Sequence, residues 1–163
     1  MSRVCLMLAR LTLSAWVGAA TLFVMNGVRE VTSTDFDSLT RDRLVALRFP
    51  GYYQFGFVLL GVALLCLLAA LSGRVLPRVR HAAVILLAGA SLAVMVLDYT
   101  NVYRPLEAMI TPAGQARPME FTALHEQSKR INSVHVGLCL CAAILVCWPA
   151  PGGRQAGSET NDG

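Results

Sequence analysis

Apolar positions along this chain gather into four long blocks separated by charged or Pro/Gly-bearing segments, not into the short alternations of a soluble domain. The blocks predict membrane-spanning helices over about residues 11–28, 52–71, 82–99 and 131–148. At about 1.5 Å per residue a run the length of Leu11–Val28 covers roughly 27 Å, enough for the hydrocarbon core of a bilayer. The third run is apolar only from Ala82 to Leu97, and Asp98 and Tyr99 extend it into the headgroup region. The fourth starts differently. Pro118–Trp148 reads as one helix that begins polar and amphipathic and ends in an unbroken apolar run. The expected fold class is all-α, an integral membrane four-helix transmembrane bundle.

The connections carry their own signals. Arg10 divides the first apolar region and no small-x-small cleavage site follows it, so a first transmembrane helix is expected rather than a signal peptide. Arg29–Pro50 is a mixed-charge loop in which Thr34 or Asp35 would cap a short helix reaching Leu47. Pro50 and Gly51 are expected to break the chain before Tyr52 and Tyr53, whose paired rings suit a membrane–water interface. Ser72–His81 forms a tight connection, Pro105 kinks or ends the third helix, and Thr111–Arg117 forms a turn. Pro118 opens the last helix. Residues 1–150 then form one four-span membrane domain, and 151–163 a disordered cytoplasmic tail.

Composition agrees with this class. Charged residues are 15% of the chain, against about 25% for a soluble domain. The five cysteines lie in or beside apolar runs, which argues for packing residues and against a disulfide framework. The basic residues show no aromatic-interleaved face, so no nucleic-acid partner is expected. With four spans, Arg3, Arg10, Arg74, Arg78, Arg80 and Arg154 share one side of short acid-poor segments. The positive-inside rule then places both termini in the cytoplasm and the protein in the cell (inner) membrane.

That topology collects polar groups on the opposite, outer side. Tyr52 opens span two, Asp98 and Asn101 close span three, and His125, Ser128, Asn132 and His135 start span four at helical spacings of three and four. These residues form the candidate polar cluster. As a functional site it would bind or handle protons through Asp98 and His125; as a structural one it would tie helix ends together. No catalytic residue, cofactor or metal ion is expected. His125 and His135 stand about 15 Å apart along one helix, too far to share an ion. Cys139 and Cys141 point to nearly opposite sides of theirs. The topology also puts His81 and His135 at different depths, which excludes a haem between them. No hydrolase triad, phosphate loop or zinc-protease motif occurs, so an enzyme is the least favoured class. Ser133, Gly137 and Cys141, and Ala15 and Ala19, recur at four-residue spacing, suited either to a compact bundle or to a homo-oligomer seam. The expected partners are the lipid bilayer and, through such faces, further copies of the chain.

Phe121, Leu124, His125, Ser128 and Asn132 together resemble the signature opening the last helix of the transmembrane protein 205-like family (domain of unknown function 4149). Leu13–Val24, Arg48–Tyr53 and Asn101–Ile110 are similar to further segments of that family, in order and with comparable spacing. The chain departs from the pattern at Glu126, where a small residue is usual, and Gln127, Lys129 and Arg130 make this helix start more charged. The resemblance implies a four-span integral membrane protein and brings no biochemical activity with it. The functional expectation is an interaction or structural membrane protein with an outer polar cluster. The alternative is a cation- or proton-linked transporter or permeation accessory using Asp98 and His125.

Overall fold

The computed structural model describes residues 1–73 and 75–149. Arg74, Arg154 and the tail expected to be disordered lie outside them. Four helical runs are long and apolar enough to cross a membrane. The chain forms α1 (Ser2–Thr32), α2 (Ser38–Ala70), a 3₁₀ turn (Leu71–Gly73), α3 (Arg78–Asp98), a π-helical turn (Tyr99–Tyr103), α4 (Arg104–Ile110) and α5 (Glu120–Cys147). α3, the π turn and α4 make one continuous helical run from Arg78 to Ile110.

The helices form an antiparallel ring. α1 packs chiefly on α2 and α3 chiefly on α5, and the α2–α3 and α1–α5 contacts close the circle. Pairings across it set the register. Arg10 meets Val146 and Trp16 meets His135 between α1 and α5, while Ser91 meets His135 and Arg80 meets Leu145 between α3 and α5. One end of the bundle therefore holds the N-terminus of α1, the 71–77 connection and the C-terminus of α5; we call it the arginine end. The other, the aromatic end, carries the α1–α2 connection and the 111–119 segment.

Small residues let the backbones come close. Ala9 and Ala20 of α1, Ala63 and Ala70 of α2, Ala88 of α3 and Ala142 of α5 are buried. Gly56 is the tightest case, because a Cβ there would stand 2.6 Å from Cη2 of Trp16 and would also strike Met95. Larger apolar side chains point the other way. Leu65 and Leu86 are 68% and 71% exposed, and such residues cover the outside of all four spans. In water so large an apolar surface would drive association; in lipid it is the solvated face.

The structure corrects two local expectations. α2 runs unbroken through Pro50 and Gly51, so the short loop helix and the second span are one element. Proline removes only one intrahelical hydrogen bond, and packing of Phe49, Tyr52 and Tyr53 against Phe23, Tyr99 and Tyr103 holds the helix across it. Its cap is Asp37, not Thr34 or Asp35: the carboxylate accepts from the Thr40 amide at 2.8 Å. Hydrogen bonding from Thr40, by its side chain first and its amide second, holds the Asp37 carboxyl below the usual carboxylate range. Of the two uses expected for Ser133, Gly137 and Cys141, packing within the bundle is not seen, since they face outward and the close contacts of α5 are made by Cys139, Ala142 and Ala143.

The chain ends are tied by charged groups. Arg10 Nε donates to the Val146 carbonyl at 2.8 Å, and Arg80 donates to the carbonyls of Leu145 (2.6 Å), Trp148 and Pro149. Two guanidinium groups thus satisfy carbonyls that the end of α5 would otherwise leave open, and their charge suits a helix C-terminus. At the aromatic end the buried Asp42 accepts from Arg117 at 2.6 Å and from the Gly114 amide at 3.3 Å, clasping the 111–117 turn to α2. Glu30 pairs with Arg48 at 2.6 Å, and that guanidinium lies over the Phe23 ring.

Candidate functional site

Two polar tiers lie inside the bundle, one above the other. The deeper tier centres on His135. On α5 the inward face steps through Asn132, His135, Cys139, Ala142 and Val146, at helical spacings of three and four. On α3, Ser91, Met95 and Asp98 step likewise, and on α1, Leu13, Trp16 and Ala20 do so. Where these ladders cross, Trp16 Nε1 donates to His135 Nε2 at 2.9 Å. His135 Nδ1 lies 3.0 Å from the Ser91 carbonyl and 2.9 Å from its hydroxyl. Ser91 Oγ donates to the His135 carbonyl at 3.1 Å, and Cys139 Sγ lies 2.8 Å from the same oxygen.

Donor counting fixes the tautomer. An indole N–H only donates, so Nε2 must accept and the imidazole proton sits on Nδ1. Nδ1–H then donates to Ser91, the Ser91 hydroxyl donates to the His135 carbonyl, and the thiol of Cys139 donates to the hydroxyl oxygen. Every polar atom has a partner and the set is neutral. Protonation of Nε2 would turn two N–H groups against each other across 2.9 Å. Trp16, Ser91 and Cys139 are fully buried and His135 nearly so. Such a set locks three helices in one register, because an alternative register leaves polar groups unpaired in an apolar interior.

The upper tier lies toward the aromatic end. Tyr53 donates to Asp98 Oδ2 at 2.6 Å, a length typical of a hydroxyl on a carboxylate, and Tyr52 donates to Asn132 Oδ1 at 2.7 Å. Rings join the tiers: Trp16 to Tyr52 at 4.9 Å between centroids, Tyr52 to Tyr53 at 5.4 Å, and Tyr53 to Tyr103 at 4.8 Å. The tiers differ in one respect. Asp98 is 5% exposed, yet its Oδ1 has no hydrogen-bond partner among the described residues. Asp98 also ends α3 where the helix widens into the π turn, a local irregularity that often accompanies functional positions.

The seven predicted cluster residues do not converge on one point. Asp98 meets Tyr53, Tyr52 meets Asn132, and His135 meets Trp16 and Ser91 in the deeper tier. Asn101 is exposed on the π turn and Ser128 is half-buried on α5. His125 is exposed and stacks on Phe121, with ring centroids 5.9 Å apart. It therefore stands apart from Asp98, and the two do not form a titrating pair. His81, on the first turn of α3, donates from Nε2 to the Leu67 carbonyl at 2.9 Å, at the arginine end and well below His135. Among the described residues no three His, Cys, Asp or Glu side chains converge as metal ligands would. Sequence reasoning missed Trp16, Ser91 and Cys139 as polar partners. Ser91 carried a usable signal, since it stands alone in an apolar run seven residues before Asp98.

Comparison of the chain with protein-family models, with curated proteins and with solved structures gives no match.

Proposed function

We propose that this chain is a multi-pass protein of the cell (inner) membrane, acting through interaction or structural support and not through chemistry. We further assign it, on the Phe121–Asn132 signature and the three similar segments, to the transmembrane protein 205-like family. The observation that carries the functional reading is the closed, neutral hydrogen-bond set around His135, in which each polar atom is already satisfied. A proton- or ion-handling centre keeps a position open for its cargo, and this one is filled by the protein itself. The arginines gathered at one end, with Arg10 and Arg80 on the last turns of α5, support a cytoplasmic side for both termini.

The test is reconstitution of the purified full chain into liposomes carrying a pH-sensitive dye under an imposed cation or proton gradient. The proposal expects flux equal to that of empty liposomes. Flux that appears with the protein and disappears in Asp98→Asn contradicts it. That outcome would favour the alternative, a cation- or proton-linked permeation accessory. One observation speaks for this second reading: Asp98 Oδ1 is buried and unpartnered among the described residues, the kind of oxygen to which a transported proton or cation binds. His125 has no part in it, because it lies exposed on the first turns of α5.

A further inference from the structure

We propose that the groove that Gly73 and Val75 form with α1, at the arginine end, holds the headgroup of an anionic phospholipid. Arg3 and Arg10 stand two helical turns apart on one face of α1 and both line this groove, whose volume is about 520 Å³. Leu6, Met7, Gly73 and Val75 complete its wall. The absence of a side chain at Gly73 lets the connection lie against Ser2, which closes the groove over the first turn of α1. The bond from Arg10 Nε to the Val146 carbonyl fixes that guanidinium beside the groove and uses one of its five donors.

Among the described residues at this end, charge has a single sign. No Asp or Glu occurs from Met1 to Arg29, from Pro50 to Leu97, or from Ile131 to Ala150. Among the described residues these segments therefore offer no carboxylate to either guanidinium, and both are placed for a phosphate. Apolar surface then separates a lipid from a free phosphate. Val4, Met7 and Leu11 are 59%, 66% and 65% exposed, and their spacing makes one stripe running from the groove along the membrane-facing side of α1. A phosphate ion would use the guanidiniums alone, whereas a phospholipid lays its acyl chain along the stripe while its headgroup sits on Arg3 and Arg10. Guanidinium groups at this depth stabilise anionic headgroups by attraction that a zwitterionic lipid largely cancels. This inference is independent of whether the bundle supports or transports.

The test is native mass spectrometry of the full chain in detergent, titrated with phosphatidylglycerol, with phosphatidylcholine and with inorganic phosphate. The expected result is one phosphatidylglycerol adduct that survives collision energies stripping phosphatidylcholine, and that inorganic phosphate does not displace. Arg3→Gln should weaken its retention roughly five-fold, and Arg3→Lys should weaken it less. Met7→Glu, which sets an acid between Arg3 and Arg10, should abolish the preference and keeps the test open should Arg3→Gln fail to fold. Equal retention of the two lipids overturns the proposal, and would also be the outcome if the chain's own Glu159 or Asp162 filled the groove. Displacement by phosphate, or an adduct unchanged in both variants, overturns it as well.

Discussion

Replacing Trp16 by phenylalanine removes one N–H and leaves most of the ring. In the wild type that N–H meets His135 Nε2 at 2.9 Å in a fully buried position. Without it the imidazole has no satisfactory tautomer: an unprotonated Nε2 lacks a donor, and a protonated one lacks an acceptor. The ring cannot turn to find another, because Nδ1 is held by Ser91 at 2.9–3.0 Å. An unsatisfied buried polar atom costs about 1–3 kcal/mol in proteins generally. Interhelical hydrogen bonds in membrane proteins measure lower, averaging ~0.6 with a maximum of ~1.7 kcal/mol, because the separated helices also find partners. The geometry here belongs at the upper end, since one ring ties three helices, and a coupling of about 1–2 kcal/mol follows. Lost contact with Gly56 and Met95 adds a packing loss that has nothing to do with the hydrogen bond. A double-mutant cycle of Trp16→Phe with His135→Leu separates the two. Unfolding by denaturing detergent, followed by helicity, should show the single variants' losses summing to about 1–2 kcal/mol more than the double variant's. Additivity within about 0.5 kcal/mol would refute the bond as an organising contact.

Other perturbations probe the remaining contacts. Gly56→Val should lower stability by about 1–3 kcal/mol, read as an earlier unfolding midpoint; Met95 can shift aside, but the rigid Trp16 ring cannot. Asp42→Ala should free the 111–117 turn, giving faster hydrogen exchange at the Gly114 amide and a loss of about 1–2 kcal/mol, moderated because the Arg117 side chain is 45% exposed. The Asp37 carboxyl should titrate below an ordinary aspartate in a carboxyl-carbon NMR experiment. Its capping contribution is therefore complete above the ordinary aspartate range and disappears as pH falls through the lowered value, and a midpoint at or above the ordinary value contradicts the cap.

The spans were legible in the sequence because an apolar run this long exceeds what a soluble core helix needs and matches a bilayer crossing. Apart from Trp148, which follows the last residue of α5, the predicted limits fall inside the four helical runs. Pro50 was misjudged, since local rules mark a break there and aromatic packing along that face of α2 overrides them. The polar residues were legible by type, but not by pairing. Helical spacing put His125, Ser128, Asn132 and His135 on one face, yet a helix that leaves the bundle carries its first turns away from the other spans. Of these four, Asn132 and His135 lie low enough to reach Tyr52 and Trp16. Trp16 was invisible as a partner because in one dimension a tryptophan in an apolar run reads as lipid-facing or core. Its indole N–H acquires meaning only once α1 and α5 are set side by side. Arg10 and Arg80 show the same limit: their charge was readable at the span ends, while their grip on the last carbonyls of α5 depends on tertiary register.

The arrangement rests on one tautomer. Nitrogen-15 NMR of labelled histidine in the full chain, reconstituted in lipid bilayers, reports each ring nitrogen of His135 directly, with His135→Leu supplying the assignment. The account predicts a protonated Nδ1 and an unprotonated Nε2 that accepts from Trp16. An Nε2–H tautomer, or an imidazolium with both nitrogens protonated, would contradict it.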